Sequence, residues 1–176
     1  MIVAALKQEV EGLPNQILLT GVGKINATKV LTDYIIKNKP KHIINYGTAA
    51  KVSTKVEVGK IYEVRKFIQR DMIAVQLGFE TYGTPFGKNM IKTGLSHSSF
   101  GRDDLICGTG DNFYEHIYRI TDYDMADMEA YALASVCEDY NVPFRCFKYI
   151  SDDGNPKQWE ENCKKGVELF KDYVRV

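Results

Sequence analysis

Residues 129–152, EAYALASVCEDYNVPFRCFKYISD, read as a helix followed by a strand. Ala130, Leu133, Ala134 and Cys137 fall on one face at helical spacing between Glu129 and Tyr140, and Phe144 to Ile150 is an apolar-rich run of strand length. A helix that feeds a strand is the repeating unit of an α/β fold. The same alternation extends outward in both directions. Upstream, Met1 to Leu6 and Gln16 to Thr20 read as strands, and Asn26 to Asn38 as a helix with Ala27, Val30, Leu31, Tyr34 and Ile35 on its apolar stripe. Pro40 ends that helix, and His42 to Asn45 opens another strand. Lys60 to Phe67 and Met72 to Leu77 read as a strand pair, Leu105 to Gly108 as a short strand, and Gln158 to Val174 as a closing helix. The expectation is an α/β fold: one domain over residues 1–176, three layers (α/β/α) with a mostly parallel central sheet.

The 176 residues hold 23 Lys+Arg and 23 Asp+Glu, so the chain lacks the bulk positive charge that nucleic acid or anionic membrane would select. Hydrophobic residues at 44% and charged residues at 26% give a globular composition, not a disordered one. No apolar run approaches the roughly 20 residues of a bilayer span. Met1 to Leu6 has no basic leader, so no secretion signal is visible, and Cys107, Cys137, Cys146 and Cys163 show no CxxC spacing. Reduced, mostly buried thiols and a cytoplasmic location are expected.

Several motifs fail on inspection. Gly21-Val22-Gly23-Lys24 suggests a nucleotide loop, but Asn26 stands where the dinucleotide fingerprint needs Gly, and Ile25 where the Walker pattern needs Ser or Thr. A strand-to-helix turn is the better reading. His42, His97 and His116 have no ligand spacing, so no metal is expected, and Ser96, Ser98 and Ser99 lack a nucleophile-elbow pattern. In parallel α/β sheets ligands sit beyond the carboxyl ends of strands. That directs attention to 7–9, 21–24, 47–50, 108–113, 127–129 and 151–153. Glu9, Glu129 and Asp152 lie in these segments. Singly, each has an ordinary reading: a solvated first-turn residue, a partner for a helix dipole, an N-cap. Together they make an acid/base cleft.

The ordered set Leu6–Val10, Thr20–Ala27, Ile44–Ala49, Val58–Ile61, Asp127–Ala130, Val142–Phe144 and Ile150–Asp152 resembles the purine nucleoside phosphorylase/nucleosidase superfamily, with 5′-methylthioadenosine/S-adenosylhomocysteine nucleosidases as the nearest branch. The resemblance runs nearly end to end. It implies a nucleoside phosphorylase-like fold and roles for particular residues. Asp152 matches the acid that protonates adenine N7, and Glu9 the base that deprotonates the attacking water. Glu129 matches the carboxylate that holds the ribose hydroxyls, with Met128 packed under the sugar. Thr48 matches a hydroxyl near the water, Ser151 orients the acid, and Phe113 stacks on the base. For Phe113 and Met128, plain core packing is the competing reading. A homodimer, a small purine nucleoside as substrate, and no cofactor are also implied.

The chemistry asks for such groups. Cleaving an N-glycosidic bond passes through an oxocarbenium-like sugar. A carboxylic acid with a raised pKa turns adenine into a neutral leaving group, and a carboxylate on the other side takes the proton of water. Asp152 is expected in the drier, more hydrogen-bonded position. Phosphorylases of this superfamily hold phosphate with arginines. Here the first arginine is Arg65, and after Asp152 only Arg175 remains, which favours hydrolysis. Arg65, Arg70 and Arg102 keep a phosphate-dependent phosphorylase open, and a non-catalytic nucleoside-binding or storage relative is a third reading. The chain is shortened near the N-terminus: residues 10–15 leave room for a tight turn where the family carries a β-hairpin. Trp159 stands in the altered loop after Asp152, either as an aromatic lid over the base or as a core anchor.

Overall fold

The computed structural model describes residues 1–13, 16–93, 101–115 and 122–174. Pro14 and Asn15 of the expected tight turn, the Ser96–Ser99 loop with His97, His116 and Arg175 lie outside the described residues.

In chain order the elements are β1 (Ile2–Ala4), a 3₁₀ turn (Lys7–Glu9), β2 (Ile17–Leu19), α1 (Lys24–Asn38), β3 (Ile43–Lys51), β4 (Ile61–Gln69), a second 3₁₀ turn (Val75–Leu77), β5 (Ile91–Lys92), β6 (Gly101–Thr109), β7 (Met125–Asp127), α2 (Ala130–Asp139), β8 (Phe144–Asp152), α3 (Pro156–Asn162) and α4 (Val167–Val174). All strands join one sheet in the order β2-β1-β3-β7-β6-β4-β5, with β8 pairing both β3 and β4. Strands β3, β7, β6, β4 and β8 therefore close a ring, and β1 and β2 extend it in parallel from β3.

The α/β class holds, but the sheet is mixed and not mostly parallel: β3–β7, β4–β5 and β4–β8 are antiparallel. Residue patterns mark strands but not the direction of their partners, and closing the ring joins β4 to β8 head to tail. Five of the expected elements also differ. Met72 to Leu77 is no strand; its alternating Ile73, Val75 and Leu77 are exposed, and only the short turn Val75–Leu77 forms. An alternating pattern without a partner strand has no ladder to join. The closing helix is two helices, α3 and α4. Between them a Cβ at Gly166 would overlap the Tyr149 ring and the Tyr46 hydroxyl, so a glycine is needed for the chain to pass this point closely. Strands β3, β6 and β8 run longer than expected, and β3 and β8 carry their ends into the cavity described below.

Helices cover the sheet on both sides. One core packs Val3, Ile43, Cys146 and Ile150 against Ala27, Leu31 and Ile35 of α1 and Leu133, Ala134 and Cys137 of α2. A second packs Ile2, Ala4, Tyr46, Phe147 and Tyr149 against Val167 and Phe170 of α4, with Tyr46 and Phe170 stacked at 4.3 Å. Strand β1 sends alternate residues to the two cores, as a strand buried on both faces must. All four cysteines are free and buried. Among the described residues no helix is long and apolar enough to cross a membrane.

Candidate active site

The carboxyl ends of β1, β3, β7 and β8 surround a cavity of about 340 Å³, within the range of small-molecule sites. Glu9, Thr48, Phe113, Met128, Glu129 and Asp152 all line it. Ser151 is fully buried behind Asp152.

Glu9 closes the 3₁₀ turn after β1. Its Oε2 accepts the Leu6 amide at 3.1 Å, while Oε1 accepts both the amide and the hydroxyl of Thr48, each at 2.8 Å. The Thr48 Oγ1 also accepts the Trp159 indole N–H at 3.0 Å. Gly47 gives the carboxylate room: a Cβ there would lie 3.4 Å from Glu9 Oε1 and 3.5 Å from Lys148 Nζ, so carboxylate and ammonium flank this glycine.

Asp152 ends β8. Ser151 Oγ donates to its Oδ2 at 2.7 Å and the Gly154 amide to Oδ1 at 2.8 Å. Burial pushes its pKa above the ordinary carboxyl value; these two hydrogen bonds oppose the shift, and the charge of Asp153 adds to it. At 1% exposed against 4% for Glu9, Asp152 is marginally the drier group, but it is not the more hydrogen-bonded one. Among the described residues Glu9 accepts from the Leu6 amide and from both donors of Thr48, Asp152 from Ser151 and Gly154. Hydrogen-bond donors favour the ionised form of a carboxylate, whereas burial favours the neutral form.

Glu129 stands at the N-terminus of α2, where its Oε1 accepts the Gly23 amide at 2.8 Å. Burial, and then the negative charge of Asp127, push its pKa up to about 8; Lys148 and the Gly23 amide only partly offset this. The glycine turn of residues 21–24 is thus a strand-to-helix turn that presents an amide to a carboxylate. Gly23 has φ +94°, and a Cβ there would lie 3.1 Å from Asp111 Oδ1.

A buried ion pair that sequence reasoning did not single out lies beneath the floor. Lys148, fully buried in mid-β8, pairs with Asp127 at 2.8 Å. Asp127 also accepts the Ala130 amide at 2.8 Å and the Thr109 hydroxyl, so it caps α2 from β7. Burial opposes both charges, yet each holds the other ionised: Asp127 below its usual range, Lys148 above. The signal was present in the sequence, since a lysine inside the apolar run FRCFKYI needs a buried partner. Arg70 also lines the cavity, but its guanidinium is engaged by the Asn112 side-chain and main-chain oxygens. With Lys24, which pairs with Asp71 at 2.6 Å, and Asp111, which accepts the Lys24 amide at 2.8 Å, it fixes the loop that carries Phe113. Among the described residues no metal-ligand cluster of His, Cys, Asp or Glu occurs.

No family model matches the chain. A 5′-methylthioadenosine/S-adenosylhomocysteine nucleosidase of Anoxybacillus flavithermus is 27% identical over 155 residues, covering 77% of this chain and 66% of its own. The chain thus spans about two-thirds of the length of that relative. Among solved structures, the Helicobacter pylori 5′-methylthioadenosine/S-adenosylhomocysteine nucleosidase in complex with a substituted pyrrolidin-3-ol superposes with TM-score 0.85 at 16% identity, covering 99% of this chain and 94% of that one. The futalosine hydrolase of Helicobacter pylori superposes equally well, TM-score 0.85 at 15% identity, with the same coverage. The ordered motifs and the curated relatives agree on similarity to the 5′-methylthioadenosine/S-adenosylhomocysteine nucleosidases, and the chain shares the fold of the solved nucleosidase structures.

Proposed function

We propose that the chain is a purine nucleoside N-glycosidase that uses water to release the base from adenine-type nucleosides. The observation that carries this reading is the meeting of Glu9, Glu129 and Asp152 on one cavity wall in three different electrostatic environments. Asp152, raised by burial, gives its proton to N7 as the C1′–N9 bond breaks. Glu9, held by the Leu6 amide and both donors of Thr48, takes a proton from water as the water oxygen bonds to C1′. The products are free base and sugar. Glu129 receives the ribose hydroxyls, Met128 packs against the sugar, and Phe113 stacks on the base. Negative charge around C1′ stabilises the cationic sugar of the transition state.

Phosphate finds little support in this cavity. Arg70, the one arginine lining it among the described residues, is turned to Asn112. The test is release of free base from 5′-methylthioadenosine, S-adenosylhomocysteine, adenosine, inosine and futalosine, each with and without phosphate. Phosphate-independent release supports the reading. Turnover only with phosphate, or tight binding without turnover, refutes it.

The four buried free thiols suit a reducing cytoplasm. The 176 residues act as one domain in this reading, and as a homodimer. Val22, Ile25, Ile73 and Leu77 are exposed on segments joined by the Lys24–Asp71 pair, beside the cavity that Val22 lines. Sedimentation equilibrium gives twice the chain mass if this is right.

A further inference from the structure

We propose that Trp159 is a positioning residue that acts through Thr48 to orient the base Glu9 and the water beside it; the inference rests on the hydrolase reading above. Trp159 Nε1 lies 3.0 Å from Thr48 Oγ1, which lies 2.8 Å from Glu9 Oε1. An indole N–H donates and never accepts, so Thr48 must accept from Trp159. Its single hydroxyl proton is then committed to Glu9. The direction of the chain is fixed by the chemistry of its two ends.

This has a consequence for the nucleophile. With the Thr48 amide on Oε1 and the Leu6 amide on Oε2, Glu9 and Thr48 present only acceptor lone pairs to anything further. A water touching both must donate both of its protons to the wall. Its lone pairs then face away from the wall, toward a bound sugar. Without the indole N–H, the Thr48 hydroxyl is free to turn and donate to the water, which occupies a lone pair needed for attack.

Helix α3 is built to hold the indole in place. Asn155 caps its first turn by accepting the Lys157 amide at 3.0 Å and the Gln158 amide at 3.4 Å, and Pro156 opens it. At its other end Asn162 Nδ2 donates to the Ser151 carbonyl at 2.8 Å. The helix is thereby fastened to the strand that carries Asp152, while Trp159 reaches across to the strand that carries Thr48. Trp159 also lines the cavity and is the sole tryptophan of the chain, so its fluorescence reports occupancy.

The test is a double-mutant cycle on base release. Trp159→Phe keeps an aromatic ring and deletes the donor. It lowers kcat about fivefold to tenfold, the scale of one lost hydrogen bond, and leaves KM within about twofold because the ring remains. In a Thr48→Val background, Trp159→Phe has no further effect on kcat; in a Thr48→Ser background, which keeps the hydroxyl, it has its full effect. Three results overturn the inference alone: an unchanged kcat in Trp159→Phe, an equal loss in the Thr48→Val background, or a loss confined to KM. If the unaltered chain binds nucleosides, seen as a change in Trp159 fluorescence, yet releases no base, the hydrolase reading falls and this inference with it.

Discussion

Replacing Glu129 by Gln tests the electrostatics of the cavity without touching the bond-breaking groups. Glu129 is 8% exposed, and its pKa rises from 4.5 to about 8 in the folded chain. Between those two values the folded state holds a proton that the unfolded chain has released, so stability falls as pH rises through this window and levels off above it. The slope approaches roughly 1.4 kcal/mol per pH unit, and the total lies near 4–5 kcal/mol. The amide side chain of Glu129→Gln keeps an oxygen for the Gly23 N–H and carries no titrating proton. Urea unfolding of both chains from pH 5 to pH 9 measures the difference. The variant is expected to gain roughly 3–5 kcal/mol relative to the parent across that range. Two curves that stay parallel within about 1 kcal/mol refute the assignment of the shift to Glu129. The same linkage acts on binding. Hydroxyls of a bound sugar donate to an ionised carboxylate, so binding near neutral pH releases a proton, which calorimetry in buffers of different ionisation heat detects.

Asp152→Asn keeps a donor near N7 but has no proton to transfer; kcat on an adenine nucleoside falls by about 10²–10⁴ with little change in KM, measured by base release. In the parent, activity declines as pH rises through the raised pKa of Asp152, because the acid form is the working form. Lys148→Met strands the buried charge of Asp127 and destabilises the chain by about 3–5 kcal/mol, read by urea unfolding; Lys148→Met with Asp127→Asn recovers part of the loss. Gly23→Ala places a Cβ at φ +94° against Asp111 and costs about 1–3 kcal/mol, and it raises KM because the amide on Glu129 moves.

The site was more legible than the sheet. Strand ends are marked by apolar runs that stop at glycine or a carboxylate, and each of the segments picked out that way contributes a residue to the cavity wall: Glu9, Val22, Thr48, Phe113, Glu129 and Asp152 among them. Helix α1 was readable because Ala27, Leu31 and Ile35 repeat at helical spacing and are the buried residues of that helix. What escaped was long-range. The direction of β4 against β8 is set by ring closure, which no local window contains. Ile73, Val75 and Leu77 alternate like a strand and have no partner. Just before α4 the chain passes Tyr46 and Tyr149 closely at Gly166, and Tyr46 lies far away in sequence on β3. Lys148 was visible as a charge in an apolar strand, but its partner Asp127 lies on another strand, and only the fold joins them.

That pair explains how one cavity can hold so many acids. Asp127, Glu129, Asp152 and Glu9 ionised together would repel one another in a buried space. Lys148 neutralises Asp127, which serves as a helix cap and not as a reacting group. Burial then pushes Glu129 and Asp152 toward their neutral forms, and the charge of Asp127 adds to the shift of Glu129. Glu9 is held instead by the Leu6 amide and by both donors of Thr48. Removing Lys148 upsets this balance in a definite direction: the unpaired charge of Asp127 raises Glu129 further. The variant should therefore bind a neutral nucleoside analogue with a pH dependence displaced to higher pH, a shift that simple loss of packing at position 148 would not produce.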